Sequence, residues 1–109
     1  MSSPNLPAPI AAYFAADARG AAAVADCFNP HAFVKDEGGI HQGLAAIQAW
    51  KAAASTAFKY TVQPYALENE DGFHTVIGRV TGDFPGSPVD LRYRFRLEGG
   101  LVASLEIAP

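Results

Sequence analysis

The sequence predicts an α+β fold, helices first and an antiparallel sheet after them, on three observations. Eighteen of the 21 alanines lie before residue 58, whereas valine, threonine, tyrosine and phenylalanine taken together are commoner after it. Alanine is the best helix former, and β-branched and aromatic side chains fit a pleated surface. Short glycine-bearing turns divide the second half, leaving no room for the long crossovers that parallel strands need. Finally, residues 91–97 alternate strictly, with Leu91, Tyr93, Phe95 and Leu97 on one face and Arg92, Arg94 and Arg96 on the other.

Each element has its own signal. A first helix starts near Pro7 or Pro9, since a first turn tolerates proline. Ile10, Tyr13, Phe14 and Asp17 then share one face, at i, i+3, i+4 and i+7. Gly20 stops this helix, and a short one over 21–28 runs up to Asn29-Pro30. Ala32, Val34 and Asp36 alternate with Phe33 and Lys35, so a strand ends at the turn Glu37-Gly38-Gly39 and returns over 40–42. Gly43 opens a helix over 44–58 whose apolar stripe is Leu44, Ile47, Trp50, Ala54 and Phe58. Strands over 59–67, 73–81, 89–97 and 101–107 follow. Their turns are Glu70-Asp71-Gly72, Phe84-Pro85-Gly86-Ser87 and Glu98-Gly99-Gly100, the middle one placing proline and glycine as a type II turn requires. Phe73, Thr75 and Ile77 alternate with His74, Val76 and Val80, so this strand is apolar on both sides. An apolar outer face needs a cover, which predicts a homodimer through the outer face of the sheet.

Length and composition exclude several classes. With 109 residues the chain reads as one domain over 1–109, and twelve aromatic residues supply the bulk that alanine lacks. A net charge of −3 argues against nucleic acid as a partner, because phosphate binding needs a basic face. The single Cys27 cannot form an internal disulfide, and without a flanking base it reads as an inert thiol. No leader pattern opens the chain and no apolar run approaches the roughly 20 residues that span a bilayer, so no membrane partner and a cytoplasmic protein are expected. His31, His41 and His74 have no ligand-like spacing, so no metal is expected. Phosphate-loop, dinucleotide and nucleophile-elbow patterns are missing, so no cofactor is expected either.

Two residues stand out as chemistry. Asp36 shares a strand face with Ala32 and Val34 and is directed inward, where a partly desolvated carboxylate suits proton abstraction; the alternative is that it caps its own turn. Tyr13 lies mid-stripe, where its phenol would donate to a bound oxygen or find a backbone partner within the core. Asp17, one turn on, either accepts from Tyr13 at i+4 or, as is expected of an acid at a helix end, lies at the surface. Phe14, Trp50, Tyr60 and Tyr93 line an apolar pocket or fill an ordinary core. His74 faces either the pocket or the dimer, and the arginine row is a solvated or dimer-facing strand face.

Several strings resemble the nuclear transport factor 2-like superfamily, in its SnoaL-like and ketosteroid-isomerase-like branch. They are Ala11-Ala12-Tyr13-Phe14 with Arg19-Gly20, the run from Phe28 to Asp36, His41 to Ile47, and Gly82-Asp83-Phe84-Pro85-Gly86 through to Leu101–Leu105. The resemblance implies a cone of helices leaning on a curved antiparallel sheet, of the cystatin-like or nuclear transport factor 2-like kind. It implies that Asp36, in Val34-Lys35-Asp36, is a general base and that Tyr13 stabilises an oxyanion. The isomerases' second oxyanion donor, an acid, falls here on Leu91 or Arg92 and is missing. The resemblance thus implies a pocket for a small apolar organic molecule, with acid–base chemistry next to a carbonyl. The alternative is a binding or dimerisation module that does no chemistry.

Overall fold

A computed structural model describes residues 5–109. Residues 1–4, on which the expectation of no leader partly rests, lie outside the described residues. Pro9 sits in the first turn of α1 (Ala8–Asp17), where its missing N–H needs no partner. Gly20, at φ +113°, leads into the short α2 (Ala21–Ala25). The chain turns extended sooner than expected, because β1 (Phe28–Asp36) already contains Pro30. The register of β1 slips between Phe28 and Phe33, so the proline's missing donor falls in an irregular stretch of the ladder. β2 (Gly39–Gln42), α3 (Leu44–Ala57), β3 (Tyr60–Glu70), β4 (Phe73–Gly82), β5 (Val89–Glu98) and β6 (Leu101–Ala108) complete the order.

The six strands form one sheet in the order β2-β1-β6-β5-β4-β3. It is mixed rather than wholly antiparallel as expected, because β6 returns beside β1 in parallel. The long segment from β2 to β5 is the crossover that this parallel pair needs. The turns at Glu37-Gly38, Asp71-Gly72 and Gly99-Gly100 each hold both loop residues at positive φ, the geometry that matches strand twist in a tight hairpin. Gly86 sits at φ +90° and Ser87 N–H donates to the Phe84 carbonyl, as a type II turn over Pro85-Gly86 requires.

Helices cover one face of the sheet, α3 against β1 and β2 and α1 against β6. Between them Tyr13 stands edge-on to Phe14, Phe28 and Phe95, with ring centres 5.2, 6.0 and 5.4 Å apart. Such pairs contribute about 0.5–1.5 kcal/mol each beyond the area they bury. Ile47 and Trp50 of the α3 stripe are buried, but Leu44 and Phe58 are 37% and 43% exposed. Leu44 begins the helix at its rim, and Phe58 lies past its end against Phe84. Lys51 is buried instead.

On the outer face three arginines find partners across strands, while Arg96 pairs with Glu98 on its own strand at 3.5 Å. Arg94 lies opposite Glu106 at 3.6 Å, Arg92 reaches Glu68 at 3.6 Å, and Arg79 meets Asp90 at 3.1 Å. These exposed pairs are screened by solvent and add little to the stability of the fold. Phe73, expected to need a second copy as cover, lies 3.8 Å under the Arg94 guanidinium.

Gly82 ends β4 opposite Tyr60 of β3, and a Cβ there would run into the Lys59 carbonyl and the Tyr60 backbone. Gly82→Ala is therefore expected to destabilise the fold by about 1–3 kcal/mol, read as a lower urea midpoint.

Candidate functional site

A cavity of about 600 Å³ opens between α3 and the sheet. The second half of α3, the start of β3, the β4–β5 turn and the ends of β1 and β6 wall it. Asp36 enters from the end of β1, where Ala32 and Val34 on the same face are fully buried. Its register partner is Ile107, which stands opposite Tyr93, so these three residues form one row along the cavity wall.

Asp36 is half-buried, and its Oδ2 accepts a hydrogen bond of 3.1 Å from the Trp50 indole N–H. Its other oxygen has no hydrogen-bond partner among the described residues. The bond runs to α3 and not to the adjacent turn. The turn at Glu37-Gly38 ends β1 one residue later, which sets the carboxylate at the rim of the sheet.

A second polar group crosses the cavity wall. Lys51 Nζ lies 2.6 Å from Asp17 Oδ1, with side chains only 5% and 10% exposed. It also donates to the Tyr60 hydroxyl at 2.9 Å, which in turn donates to Asp17 at 3.3 Å. Asp17, expected at the surface, is thus buried in an ion pair, because the end of the α1 stripe meets Lys51 of α3 and Tyr60 of β3. Burial pulls the Lys51 ammonium down, but the Asp17 carboxylate and the Tyr60 hydroxyl outweigh it and hold the lysine above its ordinary value.

The candidate residues separate cleanly. Asp36, Trp50, Tyr60 and Tyr93 line the cavity; Tyr13, Phe14 and His74 do not. Tyr13 is 1% exposed behind the wall, held among phenylalanine rings. Phe14 packs its ring on Tyr93 and Phe95. His74 faces the same side as Phe95, its register partner, but bonds to Asn69 on β3, away from the cavity. Lys51 is a buried, charged lining residue that sequence reasoning missed. Among the described residues no three histidine, cysteine, aspartate or glutamate side chains gather as metal ligands, and no helix is long and apolar enough to cross a membrane.

A Sinorhizobium meliloti protein, provisionally assigned as a polyketide cyclase, superposes on this fold with a TM-score of 0.89. The two chains are 40% identical over 94% of this chain and 95% of that one. The chain belongs to the nuclear transport factor 2-like superfamily, in its SnoaL-like and ketosteroid-isomerase-like branch. Two more distant structures share the fold. One is a Catenulispora acidiphila protein of ketosteroid-isomerase-like fold bound to trimethylamine, with a TM-score of 0.84 and 18% identity over 96% of this chain and 87% of that one. The other is a nuclear transport factor 2-like protein from Cytophaga hutchinsonii, with a TM-score of 0.74 and 14% identity over 99% and 93%. No family model and no curated protein matches the sequence. Of the two residues expected at the position of the isomerases' second donor, Leu91 lies in the cavity wall and Arg92 pairs with Glu68 on the outer face.

The buried phenols and Lys51 set an alkaline limit on stability. Burial first, then Asp17 and neighbouring tyrosines, pushes Tyr13 well above its ordinary 10.0, and burial and Asp17 likewise raise Tyr93. With Lys51, whose ordinary value is 10.5, all three hold their protons longer folded than unfolded. Their stability contribution is complete below about pH 10 and is lost as pH rises beyond it, by up to about 1.4 kcal/mol per pH unit for each group. Urea midpoints measured from pH 8 upward are expected to hold level from these groups and then fall steeply above pH 10.

Proposed function

We propose that the cavity binds a small, largely apolar ketone and that Asp36 acts as general base on the carbon next to the carbonyl. The observation that carries this reading is the Asp36 carboxylate at the cavity wall, one oxygen held by Trp50 and the other without a protein partner. A base fixed in that way needs no reorganisation before it takes a proton, and such positioned bases accelerate proton transfer about 10²–10⁴-fold. The size of the cavity supports the reading, since small-molecule sites span roughly 300–1,000 Å³. So does the assignment of the 40%-identical relative, because ring closure at a carbon next to a carbonyl begins with removal of that proton. This chemistry needs no cofactor.

The test is deuterium uptake by α-tetralone, a bicyclic aryl ketone, followed by mass spectrometry in deuterated buffer. The protein is expected to speed uptake at the α-carbon, saturably in ketone. Saturable binding without faster uptake would overturn the catalytic reading and leave a binding module.

A further inference from the structure

The buried pair of Asp17 and Lys51 is a charge that the Asp36 proton transfer does not use. Its two ends are placed unequally: Lys51 lines the cavity, and Asp17 lies behind it, outside the lining. Of the three ammonium N–H directions, one goes to Asp17 and one to the Tyr60 hydroxyl. The third has no hydrogen-bond partner among the described residues. Lys51 Nζ also lies 4.6 Å from the centre of the Trp50 ring, whose N–H holds Asp36. A single indole therefore meets both the cation and the carboxylate. Buried ion pairs rarely stabilise a fold more than apolar packing of the same size would, so stability is a poor reason for this one.

We propose that Lys51 is the oxyanion donor of this site, and that the cavity selects flat apolar molecules whose oxygen is, or becomes, an anion. For catalysis this rests on Asp36 being the base; the preference for an anion does not. Asp36 takes the α-proton, the C–H electron pair becomes the new C=C bond, and the carbonyl π pair moves onto oxygen. Lys51 keeps its own proton and donates a hydrogen bond to that enolate oxygen. Return of the proton from Asp36 to carbon regenerates the ketone. Asp17 is the positioning residue, because it holds the ammonium charged and aimed past Tyr60. A charge-assisted hydrogen bond of this kind is roughly twice as strong as a neutral one. The charged and titratable groups packed on Lys51 are Asp17, Tyr60 and Tyr13, and Asp36, Glu37 and Tyr93 line the same cavity; none of them is another cation.

The probe is 2-naphthol, whose absorbance reports how much of it is ionised when bound. Asp36→Asn serves as background, which removes the repulsion of that carboxylate. In this background bound naphthol is expected to ionise at lower pH than in buffer. Adding Asp17→Asn and Lys51→Met together leaves no orphaned charge, so the chain folds, and naphtholate affinity is expected to fall about 10–100-fold. Lys51→Arg is expected to keep most of the preference. Equal ionisation with and without Lys51 would overturn the proposal and leave α-tetralone exchange by Asp36 untouched. Failure of naphthol to bind would overturn it as well, while failure of exchange alone would strike only the reading of Asp36.

Discussion

Asp36→Asn is expected to exchange the α-protons of α-tetralone at least about 100-fold more slowly than the unaltered protein, while binding the ketone as well. Asparagine matches aspartate in shape, and its amide oxygen still accepts from the Trp50 indole across the 3.1 Å bond. What it loses is the lone pair that takes a proton. The split between rate and binding separates a base from a residue that merely shapes the wall. Mass-spectrometric uptake supplies the rate, and ketone titration supplies the binding.

The second large effect concerns stability. Lys51→Met leaves Asp17, 10% exposed, as a buried anion without its cation. Breaking one side of such a pair destabilises by about 3–5 kcal/mol, because the desolvated charge remains. Adding Asp17→Asn removes that charge, and most of the loss is expected to return. Urea unfolding of the two single variants and the double variant gives the coupling directly; additive losses would mean that the pair is solvated and weak.

Much of the fold was legible because its signals are local. Asp71-Gly72 and Gly99-Gly100 announce tight hairpins from two residues each, and Leu91–Leu97 alternates without a break. The parallel pairing of β1 with β6 has no such mark, since it joins segments some 70 residues apart through Val34 and Leu105. Site residues follow the same division. Asp36 was readable from the parity it shares with Ala32 and Val34. His74 shows the limit of parity, which gives the side of a sheet but not the position along it. Tyr13 and Phe14 lie on the helix face that packs, and there the aromatic core of α1 claims them before the cavity does.

Lys51 did leave a trace. Ile47, Trp50, Lys51 and Ala54 fall at i, i+3, i+4 and i+7, so the stripe of α3 runs through the lysine. Asp17 likewise ends the stripe of α1. Two opposite charges, each on an otherwise apolar helix face, are the pattern of a buried pair. Neither means much alone, and no local rule joins residues so far apart in sequence.

The chain has one tryptophan, so its indole N–H gives a single, unambiguous resonance in a ¹H–¹⁵N spectrum. Titrating α-tetralone while watching that resonance tests directly whether a ketone lodges against the pair of Trp50 and Asp36. A saturable shift, reduced in Asp36→Asn because the hydrogen bond becomes neutral, is the predicted result. An indole resonance that stays in place as the ketone binds would put the ligand elsewhere and contradict the account.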